Sequence, residues 1–323
     1  ISKAVKLTGV SQDAIEEAAR IYANAENAVI LYGNGITQHR SGNDNVKSLV
    51  NLALLTGNIG KECSGIYPLM GQNNGQGAFN MGAIHDFYTD SQPVSDINVR
   101  KKLEKVYKTK LSKNKGLQIR EMFNAASKGK VKAMYVMGAD PIMSEPDTTK
   151  VKKAIGKLDF LIVQDIFMSN TAQYADVVLP AACFAEKDGT FTNLERRVQR
   201  IRKTVEAPGE AKADWNIISE LSTFMGSPMN YSSPEAIWEE VRKVSPNFAG
   251  INYQRLVNGG IQWPCPKANH PGTKFLYEKK FPNGKATFSP TENKVTSEKT
   301  DKNYPFILST GRTLYHFNSG TMT

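Results

Sequence analysis

The stretch KAMYVMGADPIMSEPDTTKVKKAIGKLDFLIVQDIF, residues 132–167, decides the fold class. Its first part, KAMYVMGADP (132–141), reads as an apolar strand running into a glycine-bearing loop. DTTKVKKAIGKL (147–158) reads as a helix, and DFLIVQDIF (159–167) as a second, buried strand. Strand, helix and strand in this order form the unit of a parallel sheet, because parallel neighbours need a long crossover and a helix usually supplies it.

The same alternation extends outward. IREMFNAASKG (119–129) reads as a helix ending at Gly129, and ADVVLPAA (175–182) as a further strand. Near the start, SQDAIEEAARIYAN (11–24) reads as a helix with Ser11 as its cap and Ile15, Ala18, Ala19 and Tyr22 as its apolar face. AVILYG (28–33) is a short continuous apolar run, as a buried parallel strand is. NVKSLVNLALLTG (45–57) reads as a helix closed by Gly57. The expected class is α/β, built on a Rossmann-like doubly wound sheet. Ligands of such sheets bind outside the carboxyl ends of the strands. The loops to watch are therefore GNGITQ (33–38), MGADP (137–141) and QDIF (164–167).

After about residue 185 the texture changes. GTFTNLERRVQRIRK (189–203) mixes small and β-branched residues with a basic stretch. DWNIISELSTFMG (214–226) and SPEAIWEEVRKVSP (233–246) read as helices, residues 258–304 as irregular, and YPFILSTGR (304–312) as a new strand and turn. GIYPLMGQNNGQGAFNMG (65–82) holds five glycines and no charge. It is either a slack connection or a backbone shaped to approach a ligand closely, and glycine permits both. Gln72, Asn73, Asn74 and Gln76 can each donate and accept hydrogen bonds to such a ligand.

Composition narrows the class further. The 323 residues are 40% hydrophobic and 22% charged, with a net charge of +10, which suits a globular chain of about two domains. The excess lysines fall in runs that read as solvated loops, at 101–115 and 292–302. Zinc-finger spacing, basic heptads and an RNA-binding consensus are all absent, so no nucleic-acid partner is expected. Cys63, Cys183 and Cys265 lie far apart without a CxxC, so each reads as a small buried or partly buried side chain in a reducing compartment, and the expected location is cytoplasmic. No apolar run is long enough for a membrane span.

Isolated residues carry little alone. GNGITQ lacks the last glycine of a dinucleotide fingerprint, and there is no phosphate-binding GxxxxGK[ST] and no nucleophile elbow. His39, His85, His270 and His316 show no metal-ligand spacing. Asp140 and Asp165 each follow a strand, where a carboxylate either caps the next helix or accepts hydrogen bonds from a purine edge. Arg196, Arg197, Arg200 and Arg202 form either a phosphate site or a solvated face.

Taken together the loops carry a resemblance. YGNGITQH, LLTGNIG, PLMGQNNGQGAFNMGA, YVMGADP, VQDIF, ADVVLP, EKDGTFTNLERRVQR, QWPCP and TGRTLYHFNSGTMT occur in an order and spacing that resemble the catalytic subunit of molybdenum- or tungsten-dependent formate dehydrogenases, within the dimethyl-sulfoxide-reductase superfamily. The resemblance covers essentially the whole chain. It implies a bis-molybdopterin guanine dinucleotide cofactor with Mo or W, and a 4Fe-4S cluster whose ligands lie outside this chain. It implies a fragment, inactive alone, lacking the metal-ligand region and most of a C-terminal β-barrel. The implied domains are 1–72 and 73–184, parts of two Rossmann-like doubly wound, cofactor-binding α/β domains, then 185–303 as a mixed α+β region near the iron–sulfur domain, and 304–323 as the start of the barrel.

The resemblance also implies site residues. Asn34, Gln38 and Gln72 would face the pterin; Gly138, Ala139 and Asp140 would line the second dinucleotide, with Gln164 and Asp165 at its guanosine end; Arg312, Leu314 and His316 would close over it. The implied activity is formate/CO2 interconversion, with partners in the rest of the catalytic subunit and in iron–sulfur electron-transfer subunits. Two residues depart from the family pattern. Met70 stands where an arginine is expected to hold the substrate carboxylate, and Asn34 where a methionine is expected. A superfamily oxidoreductase acting on a different small anion, or a non-catalytic electron-transfer or assembly subunit, therefore stays open beside the formate reading.

Overall fold

The computed structural model describes residues 1–292, 294, 299–309 and 311. They fall into two compact units, one of Ile1–Met70 with the described residues of Thr273–Leu308, the other beginning with Gly71–Gly272.

The first unit begins with helices α1 (Ser2–Thr8) and α2 (Gln12–Asn24). The Ser11 hydroxyl caps α2 by accepting from the Ala14 N–H at 3.3 Å, as expected from the sequence. Strand β1 (Val29–Tyr32) leads through the single turn α3 (Asn34–Thr37) and α4 (Gly42–Leu55) to β2 (Gly65–Pro68). β1 and β2 pair in parallel, Val29 opposite Gly65 and Tyr32 opposite Pro68. Fully buried Asn58 ties the two strand starts: its Oδ1 accepts from the Ala28 N–H at 3.1 Å and from the Ser64 hydroxyl at 3.4 Å. The expectation of a fully buried β1 is corrected, because Val29 and Leu31 remain 46% and 61% exposed. Among the described residues this sheet has two strands, and the face carrying these side chains is open. Asn51 on α4 exchanges two hydrogen bonds with the Ser289 backbone, at 2.8 and 3.0 Å, holding the later segment. Residues 304–309 form no strand; the rest of the strand and barrel start expected there lies outside the described residues.

The second unit contains α5 (Gly75–Asn80), the short pair β3 (Phe87–Tyr88) and β4 (Gln92–Pro93), α6 (Ile97–Tyr107) and α7 (Ile119–Ser127). The glycine-and-amide run is thus no simple loop: its ends are β2 and α5. α6 corrects the reading of 101–115 as a loop. Asp96 caps it, accepting from the Asn98 and Val99 N–H groups, and Leu103 at its centre is fully buried. The basic side chains Arg100, Lys101, Lys102 and Lys105 hide the helical period.

The sheet expected from residues 132–167 follows: β5 (Ala133–Met137), the turn α8 (Pro141–Ser144), α9 (Thr148–Ile155), β6 (Phe160–Asp165) and β7 (Val177–Pro180). The strands lie side by side in the order β5-β6-β7, all parallel. α7 and α9 cover one face, packing Phe123, Ala126, Val151, Ala154 and Ile155 on Val136, Leu161 and Val163. Each large apolar side chain buried there contributes about 1.5–3 kcal/mol. The other face keeps Tyr135, Met137, Phe160 and Val177 between 38% and 50% exposed.

A three-stranded antiparallel sheet completes the unit, ordered β10-β9-β8, from β8 (Gly189–Thr192), β9 (Arg197–Ile201) and β10 (Ile261–Gln262). Between β9 and β10 lie helices α10 (Asp214–Phe224) and α11 (Pro234–Val244), the latter capped by Ser233. A second core gathers Val198, Trp238, Phe248, Ile251, Tyr253, Leu256 and Cys265. The arginine stretch is not a uniform solvated face. Arg196 lies over the Trp263 ring at 5.6 Å and Arg200 over the Tyr253 ring at 3.9 Å, each a cation–π contact. Cys265 is buried and Cys183 half-buried, but Cys63 is exposed, against the expectation for it.

Candidate cofactor-binding site

Both units offer the same kind of place, the carboxyl ends of adjacent parallel strands. In the first, the Leu69 N–H donates to the Tyr32 carbonyl at 2.6 Å, so β1 and β2 release the chain side by side at Gly33 and Leu69. Asn34 and Met70 are the next residues, and both are exposed. α3 then turns tightly, the Gln38 N–H donating to the Asn34 carbonyl at 2.9 Å, which leaves Gln38 exposed on the same loop. His39 is occupied within this loop, its Nε2 lying 2.8 Å from the Gly35 carbonyl. The first turn of α4 fixes the loop from behind: the Asn45 side chain donates to the Ile36 carbonyl at 2.9 Å. Gly42 packs so closely that a Cβ there would lie 2.0 Å from the Thr37 carbonyl oxygen. The Asn34 and Gln38 amides therefore face solvent on a backbone held by its neighbours.

In the second unit three loops leave β5, β6 and β7. Gly138 ends β5 with φ +61°, its N–H donating to the Gln164 carbonyl at 2.8 Å, and nothing lies within 4 Å of where a Cβ would stand. A flat ligand can therefore approach this backbone without meeting a side chain. Ala139 beside it is exposed, whereas the Asp140 carboxylate is buried. Its Oδ1 accepts from the Thr171 N–H at 3.1 Å and the Thr171 hydroxyl at 2.6 Å, and its Oδ2 from the Asn170 N–H at 3.0 Å and the Asn170 side chain at 3.4 Å. Asp140 thus clamps the loop after β6 to the loop after β5, and makes no side-chain bond to cap α8. Asp165 ends β6, with Oδ1 accepting from the Ile166 N–H at 2.7 Å.

Gln164 is fully buried. Its Oε1 accepts from the Tyr135 hydroxyl, and its Nε2 donates to Asp214 Oδ1 at 2.6 Å. The other Asp214 oxygen pairs with Lys187, which also donates to the Ala182 carbonyl at 2.9 Å. This chain of bonds ties β5, β6, the loop after β7 and the start of α10. Burial, with Asp214 nearby, raises the Tyr135 hydroxyl above the ordinary tyrosine range, so it stays a donor.

Gln72 is exposed, its carbonyl accepting from the Gly75 N–H at 3.1 Å. Asn74 is anchored to the antiparallel sheet, its Oδ1 accepting from the Thr192 N–H at 2.9 Å. The structure thus groups Asn34, Gln38 and Met70 in one unit, and Gly138, Ala139, Asp140, Gln164 and Asp165 at one sheet end in the other. Arg312, Leu314 and His316 lie outside the described residues. Sequence reading missed Thr171, Tyr135, Lys187 and Asp214, whose partners lie tens of residues away and leave no local mark. Among the described residues no three His, Cys, Asp or Glu side chains gather to hold a metal ion.

Residues 9–224 match the family described as molybdopterin oxidoreductase. This chain belongs to that family. It is 52% identical, over 99% of its length, to the F420-dependent formate dehydrogenase subunit alpha of Methanocaldococcus jannaschii, of which it spans 48%. It is 43% identical, over 98% of its length, to formate dehydrogenase H of Escherichia coli, of which it spans 45%. The chain thus spans about half the length of these curated relatives. Its fold is shared with acetylene hydratase from Pelobacter acetylenicus, with a TM-score of 0.56 over 79% of this chain and 37% of that one, at 20% identity. The family's name carries its cofactor, molybdopterin, and the strand-end amides with the open backbone at Gly138 fit such a group. A pterin is a flat heterocycle edged with donors and acceptors, which side-chain amides match in both senses.

Proposed function

We propose that this molybdopterin oxidoreductase chain is part of the catalytic subunit of a formate dehydrogenase, interconverting formate and CO2. The observation that carries the reading is the identity to formate dehydrogenase alpha subunits over nearly the whole chain. The cofactor we infer is bis-molybdopterin guanine dinucleotide, which would supply two-electron redox chemistry at Mo or W. Asn34, Gln38 and Gln72 would bind and orient the pterins. Gly138 and Ala139 would present backbone to the second dinucleotide, with Asp165 toward its guanine edge. Asp140 and Gln164 would act one layer back, setting the shape of those loops. We further infer that the remainder of the catalytic subunit completes both α/β units, that a 4Fe-4S cluster and iron–sulfur subunits take the electrons, and that the protein is cytoplasmic. No helix among the described residues is long and apolar enough to cross a membrane.

The deciding experiment is metal analysis of the complete protein with formate-dependent dye reduction. Bound Mo or W with formate turnover supports the proposal, whereas bound metal without turnover refutes formate as substrate. A second reading, a different small substrate, is favoured by Met70. It stands 45% exposed just after β2, and it has no charge or donor with which to hold a carboxylate. Absence of any Mo or W would favour a non-catalytic electron-transfer or assembly subunit.

A further inference from the structure

The densest charge on the chain lies away from the strand ends. Residues 100–115, RKKLEKVYKTKLSKNK, hold eight basic side chains against the single acid Glu104, a net +7 within a chain whose total is +10. They form the body of α6 and the segment after it. One side of the helix is committed inward, with Leu103 fully buried and the Lys102 ammonium donating to the Val244 carbonyl at the end of α11, at 3.3 Å. Lys101, Lys105 and Lys108 follow at intervals of four and three, so they share the opposite side. Lys110 and Lys113 extend the patch.

All five of these lysines are exposed, and none has an ion pair among the described residues. Elsewhere in this unit Lys132, Lys203 and Lys212 pair with acids, while Lys150, Lys152 and Lys153 are exposed without an ion pair among the described residues, so it is the density of unpaired lysines that sets residues 100–115 apart. Attraction to the helix C-terminus accounts for Lys105 and Lys108, since it fades within the last turn. It does not account for Lys101, Lys110 or Lys113. Like charges four apart, as at Lys101 and Lys105, oppose the helix they sit on.

We propose that this basic side of α6 and the following segment is a docking surface for an acidic face of a protein partner. The residue types favour a protein over a nucleic acid. The unpaired cations are all lysines, compact and strongly hydrated charges suited to steering a transient encounter. The one arginine, Arg100, faces Glu104 at 4.0 Å. The aromatic side chains here are Tyr107, 40% exposed on α6, and Tyr88, whose hydroxyl donates to the Ser112 carbonyl at 3.1 Å. A hydroxyl bond does not block a ring face, so the preference rests on the lysines, and the DNA probe below tests it. The proposal does not rest on the formate reading.

The test uses the complete protein and two probes of matched charge, poly-L-glutamate and single-stranded DNA, followed by fluorescence anisotropy at low and physiological ionic strength. The variant is K101Q/K105Q/K108Q/K110Q/K113Q; the control is K150Q/K152Q/K153Q on α9, where Asp147 and Asp159 flank the lysines. The expected result is poly-L-glutamate binding weakened about tenfold or more in the variant, with a flatter salt dependence, and changed less than about twofold in the control. Melting of the variant should be unchanged or higher, because repulsion is relieved. Equal losses in variant and control would overturn the proposal by showing generic charge. Tighter binding of DNA than of poly-L-glutamate through the same lysines would overturn it in favour of a nucleic-acid surface.

Discussion

Replacing Asp140 by alanine separates a framework carboxylate from a ligand-binding one. The carboxylate accepts four hydrogen bonds from Asn170 and Thr171, and Thr171 is fully buried. Removing Asp140 strands the Thr171 N–H and hydroxyl out of reach of water. Each stranded neutral donor costs about 1–3 kcal/mol, so the two together cost about 3–4 kcal/mol, with the exposed Asn170 adding little. Every ~1.4 kcal/mol is about tenfold in an equilibrium, so local opening of the loop after β6 should become two to three orders of magnitude more frequent. Hydrogen–deuterium exchange of peptides covering 165–176 in the complete protein reads this directly. Asp140→Asn should fall between, since its amide oxygen still serves Thr171 while its NH2 meets the Asn170 donors. Exchange in Asp140→Ala changed less than about threefold, together with lost molybdopterin, would refute the reasoning and make Asp140 a direct ligand.

Other outcomes follow from the same geometry. Met70→Arg in the complete protein should raise formate-dependent dye reduction if a missing cation limits turnover; unchanged activity with intact metal content would show that the charge comes from another residue or that the substrate differs. Gly42→Ala should destabilise the first unit by about 2–3 kcal/mol, because the added methyl meets the Thr37 carbonyl at 2.0 Å and neither atom can rotate away; a melting temperature within a degree of the parent would contradict it. Burial pushes the Tyr253 hydroxyl up to about 12, partly offset by Arg200. A folded value above the unfolded one means the folded state holds its proton longer, so this share of stability, roughly 2 kcal/mol, is present below pH 10 and is lost as pH rises from 10 to about 12. Tyr253→Phe should flatten the fall of unfolding free energy over that window, and an unchanged slope would count against it.

What was legible in the sequence had short-range causes. Ser11 announces its helix because a cap acts within three residues, and the β5-α9-β6 unit was readable because each apolar run is short and bounded. α6 was hidden because only Leu103 is fully buried, so charge swamped periodicity. The β8–β9 hairpin was hidden because its turn lacks Gly and Pro. Arg196 takes φ +66° there, and the Asn193 side chain holds the loop by accepting from the Glu195 and Arg197 N–H groups, both at 3.0 Å. Of the candidate site, the strand-end loops were legible from the rule that ligands gather there. The supports were not, because Asp140 and Thr171, or Gln164 and Asp214, meet only after the sheet has formed.

Asn58 has a consequence at the far end of its sheet. β1 and β2 share four residue pairs and one open face, so packing alone specifies their alignment weakly. Their shared buried anchor supplies what packing does not. A slip of one residue would turn every β2 side chain to the opposite face and bring Leu69, not Met70, level with Asn34. Which side chain a ligand meets beyond β2 is therefore chosen at the beginning of the strand, by an amide that never touches the ligand, and a change of substrate could be written at Asn58 as readily as at Met70.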